Sequence, residues 1–417
     1  MKSRKPTFID LFAGAGGLSE GFIRAGYEPV AHVEMDEAAS NTLRTRTAYH
    51  HLKSTNRIDI YLSYLRGEIT RTELYQTIPK ELLDSVINLP VGGKYNKVIQ
   101  ERITSQLVNK QVDLIVGGPP CQAYSVVGRS RKDMTGDPRN YLYIHYAKYL
   151  DRYSPKMFVF ENVIGIKSAG DGRYLRNMEK LFLEKGYEMK LFTIEANNFG
   201  VLQNRKRVII LGWRSELQID VPDLEKINIA ESSSVQALLS DLPVIEAGGG
   251  KDKFLEYSGR ASSYLKTNGI RDGIKILTQH VARPHTLQDK EIYRIAVQKW
   301  NTERSRLDYR DLPQRLRTHK NMTSFTDRFK VVAREASYSQ TVVAHISKDG
   351  HYYIHPDYDQ NRSISVREAA RIQSFPDDYY FEGVKENANR TAAFKQIGNA
   401  VPPLMAFKIA DLVKSNL

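Results

Sequence analysis

The 417 residues contain one cysteine, Cys121, two tryptophans, and no apolar run approaching the ~18 residues that cross a bilayer. A lone thiol can form no intrachain disulfide and supply no cysteine metal cluster, so packing, redox sensing or nucleophilic chemistry remain as its roles. No internal repeat or low-complexity tract is present. The basic start, Lys2, Arg4 and Lys5, leads into Asp10 and glycines rather than an apolar stretch, which makes a poor export signal. A reducing cytoplasm is the expected location, with no membrane partner and no metal. Acidic charge is also short: 48 Asp and Glu against 61 Lys and Arg leave a net charge of +13. Such a balance suggests a polyanionic partner without identifying one.

What is present begins around the cysteine. Gly117-Gly118-Pro119-Pro120-Cys121-Gln122 follows the apolar run Val112–Val116. Glycine and proline there mark a sharp strand exit, where a side chain can face a cleft. Residues 7–13 read as a buried strand, followed by Gly14-Ala15-Gly16-Gly17, a short helix through Leu18, Phe22 and Ile23, and a second strand at 29–34. This is the opening of a doubly wound α/β sheet. Segments 112–116, 156–160, 190–194 and 207–212 are short and apolar enough for central parallel strands. Residues 58–65 and 81–89 look helical. Because the 75 residues from Glu37 to Gln111 exceed one crossover helix, an insertion is expected there.

The parallel-strand rhythm is lost after about residue 225. Between Arg283 and Arg334 there are 13 Lys and Arg against 6 Asp and Glu, interleaved with Tyr293, Trp300, Tyr309, Phe325 and Phe329. That composition suits either a solvated basic surface or a nucleic-acid face. Alternation at 340–346 and 351–355 predicts hairpin strands around Lys348-Asp349-Gly350. The segment 401–417 reads as an apolar helix that must dock on the first domain. The expected division is therefore 1–225 for the large domain, 226–380 for a smaller, mostly irregular and β-containing one, and 381–417 returning to the first.

Three constellations bear on chemistry. The glycines 14, 16 and 17 let backbone approach a ligand closely, and Glu34 at the end of the second strand can accept hydrogen bonds from a ribose diol. The loop has no lysine, which excludes a P-loop and leaves S-adenosylmethionine among the fitting ligands. Glu161-Asn162-Val163 ends the apolar strand 157–160 and can share a cleft with the thiol. In Gln203-Asn204-Arg205-Lys206-Arg207, alternation puts Gln203, Arg205 and Arg207 on one side, as a solvated edge or as arginines entering the cleft.

Together these segments resemble the DNA cytosine-5 methyltransferases of bacterial restriction-modification systems. The matches are Asp10–Gly17, Gly118–Gln122, Glu161–Val163, Gln203–Arg207, Arg367–Pro376 and Gln396–Pro403, in family order. The resemblance implies a Rossmann-like S-adenosylmethionine-dependent methyltransferase domain, with a smaller, mostly irregular and β-containing target-recognition domain inserted before the C-terminal motifs. It implies Cys121 as the nucleophile, Glu161 and Arg207 as the groups that hold a flipped cytosine, and Arg205 as structural or phosphate-facing. Phe12, Gly14, Gly16, Gly17, Glu34, Asn399 and Val401 would bind the cofactor, with Phe12 on the adenine. Double-stranded DNA would be met by Gln122, Ser125, Arg129 and Arg131 after the cysteine, and by Arg315, Arg317, Lys320, Arg328 and Thr341. Arg362 matches a position that organises the small domain. The family usually places an acidic residue and an isoleucine about twenty positions before the cysteine, against the adenine amine. This chain has Glu101-Arg102-Ile103 there, so either Glu101 or another residue of 37–111 takes that contact. A monomer that protects DNA from a cognate endonuclease is the implied whole.

Overall fold

The computed structural model describes residues 4–108, 110–120, 138–229, 231–319, 325–386 and 389–417. Seven strands form the central sheet: β1 (Thr7–Leu11), β2 (Glu28–Val33), β3 (Val86–Ile87), β4 (Leu114–Gly117), β5 (Met157–Asn162), β6 (Tyr187–Glu195) and β7 (Lys206–Arg214), in the order β3-β2-β1-β4-β5-β7-β6. The first five run parallel to one another. β7 runs antiparallel to β5, and β6 antiparallel to β7. The segments 190–194 and 207–212 are therefore an antiparallel hairpin, not the central parallel strands expected. Periodicity cannot distinguish the two, because β7 is a continuous apolar, buried run from Val208 to Gly212.

Alternating side chains divide between two layers. Ile9, Ile115, Phe158, Phe160 and Ile210 pack with helices α6 (Tyr95–Leu107), α7 (Leu142–Tyr153) and α8 (Arg173–Glu184). On the opposite face, Phe8, Leu114, Val116, Val159 and Leu211 pack with α1 (Gly17–Arg24) and the C-terminal helix Pro403–Val413. The closeness of that second layer has a specific cause. A Cβ on Gly21 would lie 2.4 Å from the Ala406 Cβ, so glycine lets α1 sit directly on the last helix.

The stretch 37–111 is less an insertion than two crossovers. α2 (Glu37–Ser54), α3 (Ile58–Arg66), α4 (Arg71–Gln76) and α5 (Lys80–Asp84) lead to β3, and α6 returns to β4. The helix expected over 81–89 stops at Asp84, because Val86 and Ile87 pair with β2. Tyr49, Tyr61, Tyr64, Leu65 and Leu74 of these helices enclose their own core with Tyr380 and Ile276.

Beyond 225 the only named strands among the described residues are Gly250–Lys251 and His280–Val281, paired antiparallel. The hairpin expected around 348–350 is absent: Ala344–Ser347 is a 3-10 turn, and Ile354 forms isolated bridges with Val331 and Ser363. Buried charge organises this region in place of a sheet. Arg362 reaches both oxygens of Glu368 at 2.7 Å, and Arg371 spans Asp241 and Asp377 at 2.6 Å each, with all five side chains at most 2% exposed. Among the described residues, no helix is long and apolar enough to cross a membrane.

Candidate active site

Strand register brings the candidate residues to one edge. Ile87, Val33, Leu11, Gly117 and Phe160 lie side by side across five strands. The residue after each is then Asn88, Glu34, Phe12, Gly118 and Glu161, a row along the carboxyl ends of the parallel strands. The order of connection reverses between β1 and β4, and such switch points are where open α/β sheets bind ligands.

On the β1 side the chain forms a cradle. Phe12, Gly14 and Gly16 have φ of 60°, 55° and 81°, left-handed values that glycine adopts without strain. A Cβ on Gly14 would meet nothing within 4 Å, whereas one on Gly17 would lie 2.1 Å from the Val401 carbonyl oxygen. The loop is thus open above Gly14 and closed at Gly17 by the C-terminal motif. Tyr379 closes it further, its hydroxyl donating to the Ala15 carbonyl. Glu34 accepts from the Gly14 amide through one oxygen and from the Asp36 amide through the other, both at 2.7 Å. Burial raises its carboxyl above the usual range, against the lowering effect of those amides. Each oxygen retains a lone pair for a further donor.

Two residues missed by the sequence reading complete this edge. Met35 is 66% exposed immediately after Glu34. The Asn88 amide donates to the carbonyls of Glu34 and Met35, at 3.0 and 3.1 Å. Glu101, offered earlier for the adenine contact, is exposed on α6 and absent from the strand-tip row. Asn88 was hidden because a two-residue strand has no period to read. Asn399 is exposed at the end of the helix Arg390–Asn399, and Val401 is buried against Gly17.

On the β4 side, Glu161 and Arg207 meet, Arg207 Nε lying 2.8 Å from Glu161 Oε1, each side chain 13% exposed. The other carboxylate oxygen, Oε2, lies 2.8 Å from where a Gly118 Cβ would be, so the Gly118–Pro120 turn and Glu161 share one space. Asn162 ties them by donating to the Pro119 carbonyl at 3.3 Å. Cys121, Gln122, Ser125, Arg129 and Arg131 lie outside the described residues, as does Lys320.

The alternation in 203–207 is as expected, with Asn204 and Lys206 exposed and Gln203 and Arg205 buried. Arg205 faces neither phosphate nor cleft. Only 1% exposed, it donates to the carbonyls of Val342, Gly398 and Ala400 at 2.7, 3.3 and 2.8 Å. Of the two expected roles, structural or phosphate-facing, its contacts are those of the first: it joins its own segment to those of Val342 and Gly398–Ala400. Gln203 works beside it, bonded to the Val342 amide and to Gln373.

The basic stretch is less open than its composition suggests. Arg315 forms a two-pronged pair with Glu291, and Arg328 is half-buried on Asp349. Lys299, Arg304, Arg306, Arg310 and Lys330 are also paired with acids. Arg317 is exposed, and the Thr341 hydroxyl donates to the Asn204 carbonyl, which places it beside the 203–207 strand. Among the described residues, no group of three or more His, Cys, Asp or Glu side chains is placed to hold a metal ion.

Comparison with known proteins converges on one family. The profile of C-5 cytosine-specific DNA methylases matches residues 6–72 and 88–415. The type II methyltransferase M.Bpa9945I of Bacillus paralicheniformis is 43% identical over 448 aligned positions, covering 97% of this chain and 98% of its own. M.DdeI of Desulfomicrobium norvegicum, also a type II methyltransferase, is 32% identical, covering 97% and 88%. A solved structure from an E. coli prophage, assigned as a DNA modification methyltransferase, shares the fold with a TM-score of 0.63 at 21% identity, over 99% of both chains. The chain belongs to the C-5 cytosine-specific DNA methylases, which transfer a methyl group from S-adenosylmethionine to C5 of cytosine in DNA.

Proposed function

We propose that Cys121 is the nucleophile of this reaction and that Glu161 and Arg207 grip the target cytosine. The supporting observation is the 2.8 Å Glu161–Arg207 pair facing the turn that leads, three residues on, to Cys121. A carboxylate and a guanidinium side by side complement a cytosine edge: Glu161 engages N3 and the exocyclic amine, and Arg207 donates to O2. Cytosine C5 is too weak a nucleophile to attack a sulfonium methyl unaided. Addition of the Cys121 thiolate to C6 makes C5 enamine-like, and Glu161 offsets the charge that develops on the ring. C5 then bonds the methyl carbon as the methyl–sulfur bond breaks and a neutral thioether leaves; loss of the C5 proton and elimination at C6 restore the thiolate. Neither C5 nor C6 is reachable in a stacked duplex, so the cytosine is flipped into this space.

The residues of the cradle fit S-adenosylmethionine: space above Gly14, a carboxylate at Glu34 for the ribose, an exposed apolar side chain at Met35 and the half-buried ring of Phe12. When bound, the cofactor supplies an electrophilic methyl group. The chain's own residues orient it: Glu34 is fixed by backbone amides, Val401 and Asn399 close the side at Gly17, and Asn88 offers its carbonyl to the adenine amine. We assign 1–225 to catalysis and cofactor binding, 226–380 to target recognition on duplex DNA, and 381–417 to closing the cofactor site. Action as a monomer, in the cytoplasm, and protection from a partner endonuclease complete the reading.

Transfer of a labelled methyl group to duplex DNA and to RNA, followed by bisulfite sequencing of the DNA, tests it. The expected result is label in duplex DNA at one cytosine of a fixed short sequence. Undiminished transfer by Cys121→Ser, or label in RNA alone, would overturn it.

A further inference from the structure

A cavity of about 350 Å³ opens beside Asn204 and Thr341, next to the start of the strand that bears Arg207. Trp300 and Tyr338 contribute rings to its lining, Ala296 and Leu307 a buried apolar wall, and Asn204 and Gln340 their amides. Two of these groups are held in place. The Trp300 indole N–H donates to Glu335 at 2.8 Å, and the Gln340 amide to the Tyr352 carbonyl at 2.6 Å. The volume falls within the roughly 300–1,000 Å³ of small-ligand sites. Flat rings stack on any nucleobase, and amides distinguish one base from another. Asn204 to Arg207 is three residues of nearly extended chain, about 10 Å. At ~3.4 Å per nucleotide along a strand, that is about three base steps.

A base read in a groove stays stacked and needs no cavity, whereas a base enclosed by protein rings must have left the stack. We propose that this cavity is a second base-binding subsite, which takes a nucleobase unstacked from the recognition sequence within a few steps of the target cytosine. The inference rests on the base-flipping reading above and adds to it a place where neighbouring sequence is selected.

The test uses the full-length protein, once bisulfite sequencing has mapped its recognition sequence. Duplexes with a single abasic nucleotide at each non-target position are compared with the intact duplex, for wild type, Trp300→Ala and Ala336→Phe. The phenylalanine adds bulk to the cavity from a half-buried lining position and removes no packing, which covers the case where Trp300→Ala fails to fold. One position is expected to cost the wild type tenfold or more in affinity when abasic. Both variants should bind that abasic duplex as they bind the intact one, and methylate sites degenerate at the same position. Unchanged sequence preference in both variants, or loss of methylation on all sequences alike, overturns the subsite. If wild-type protein methylates no duplex, it is the parent reading that fails.

Discussion

Glu161 and Arg207 are each other's counter-charge before any base arrives, and that pairing sets what substitution should do. Glu161→Gln keeps the shape but removes the charge that balances an adduct, so the single-turnover methylation rate should fall at least 100-fold while cofactor binding is retained. An unchanged rate in rapid-quench measurements would contradict the role given to Glu161. A second residue-scale prediction concerns Asp10, fully buried beside Ser19, whose hydroxyl donates to it at 2.5 Å. Burial pushes its carboxyl up to about 7, with Glu34 adding to the rise and the Ser19 bonds opposing it. The neutral acid is favoured in the folded chain, so Asp10 stabilises fully below pH 3.8 and the contribution is lost as pH rises through 7. Compared with Asp10→Asn, wild-type protein should lose Tm between pH 5 and 8. Parallel profiles from thermal scans would sink the idea. Asp10, Glu161 and Arg207 could all be singled out from sequence, because each stands at a strand end or in a motif. For Arg205 the sequence leaves a structural and a phosphate-facing role open, since a buried guanidinium serving three carbonyls looks, in sequence, like any arginine near a phosphate.

Among elements, the glycine loop and the C-terminal motif act as one piece. Gly17→Ala places a methyl group 2.1 Å from the Val401 carbonyl oxygen, so one of the two segments must retreat. Cofactor affinity should drop tenfold or more by calorimetry, with non-specific DNA binding little changed; equal affinity would mean that the contact is not part of the cradle. Arg205→Ala should cost about 3 kcal/mol of stability in denaturant titration, because it leaves three buried carbonyls, on two other segments, short of a donor. The parallel strands, the glycine loop and both terminal layers were legible because each is a long enough apolar run with a clear break. The β6–β7 hairpin was misjudged because apolar strands look alike in either direction. Residues 351–355 alternate like a strand, yet Ile354 bridges Val331 and Ser363 rather than the segment 340–346, a tertiary outcome that no local pattern encodes.

For the whole molecule, charge reads differently in space than in sequence. The excess between 283 and 334 is largely paired at the surface, and exposed pairs of this kind are worth only ~0–1 kcal/mol each, so phosphates can exchange for the acids. DNA affinity should accordingly fall steeply with salt, and a flat dependence in filter binding between 50 and 200 mM would refute a phosphate-contacting basic face. Buried histidines give the fold a further pH limit. Burial lowers His32, His280 and His285 to about 4, and His355 to about 3. All four stabilise the chain above their unfolded value near 6.5, and that contribution is lost as pH falls through 4, in the opposite sense to Asp10. Tm should therefore decline from pH 6.5 downward, and a level Tm down to pH 4 would contradict it. The closure of the glycine loop by Val401 also has a bearing on synthesis. Nascent chains fold from the N-terminus onward, and here the first strand and its loop are made long before the segment that covers them. A ribosome must pass residue 401 before the loop gains the wall that Val401 builds, so on the proposed reading shorter products lack a complete site for the methyl donor.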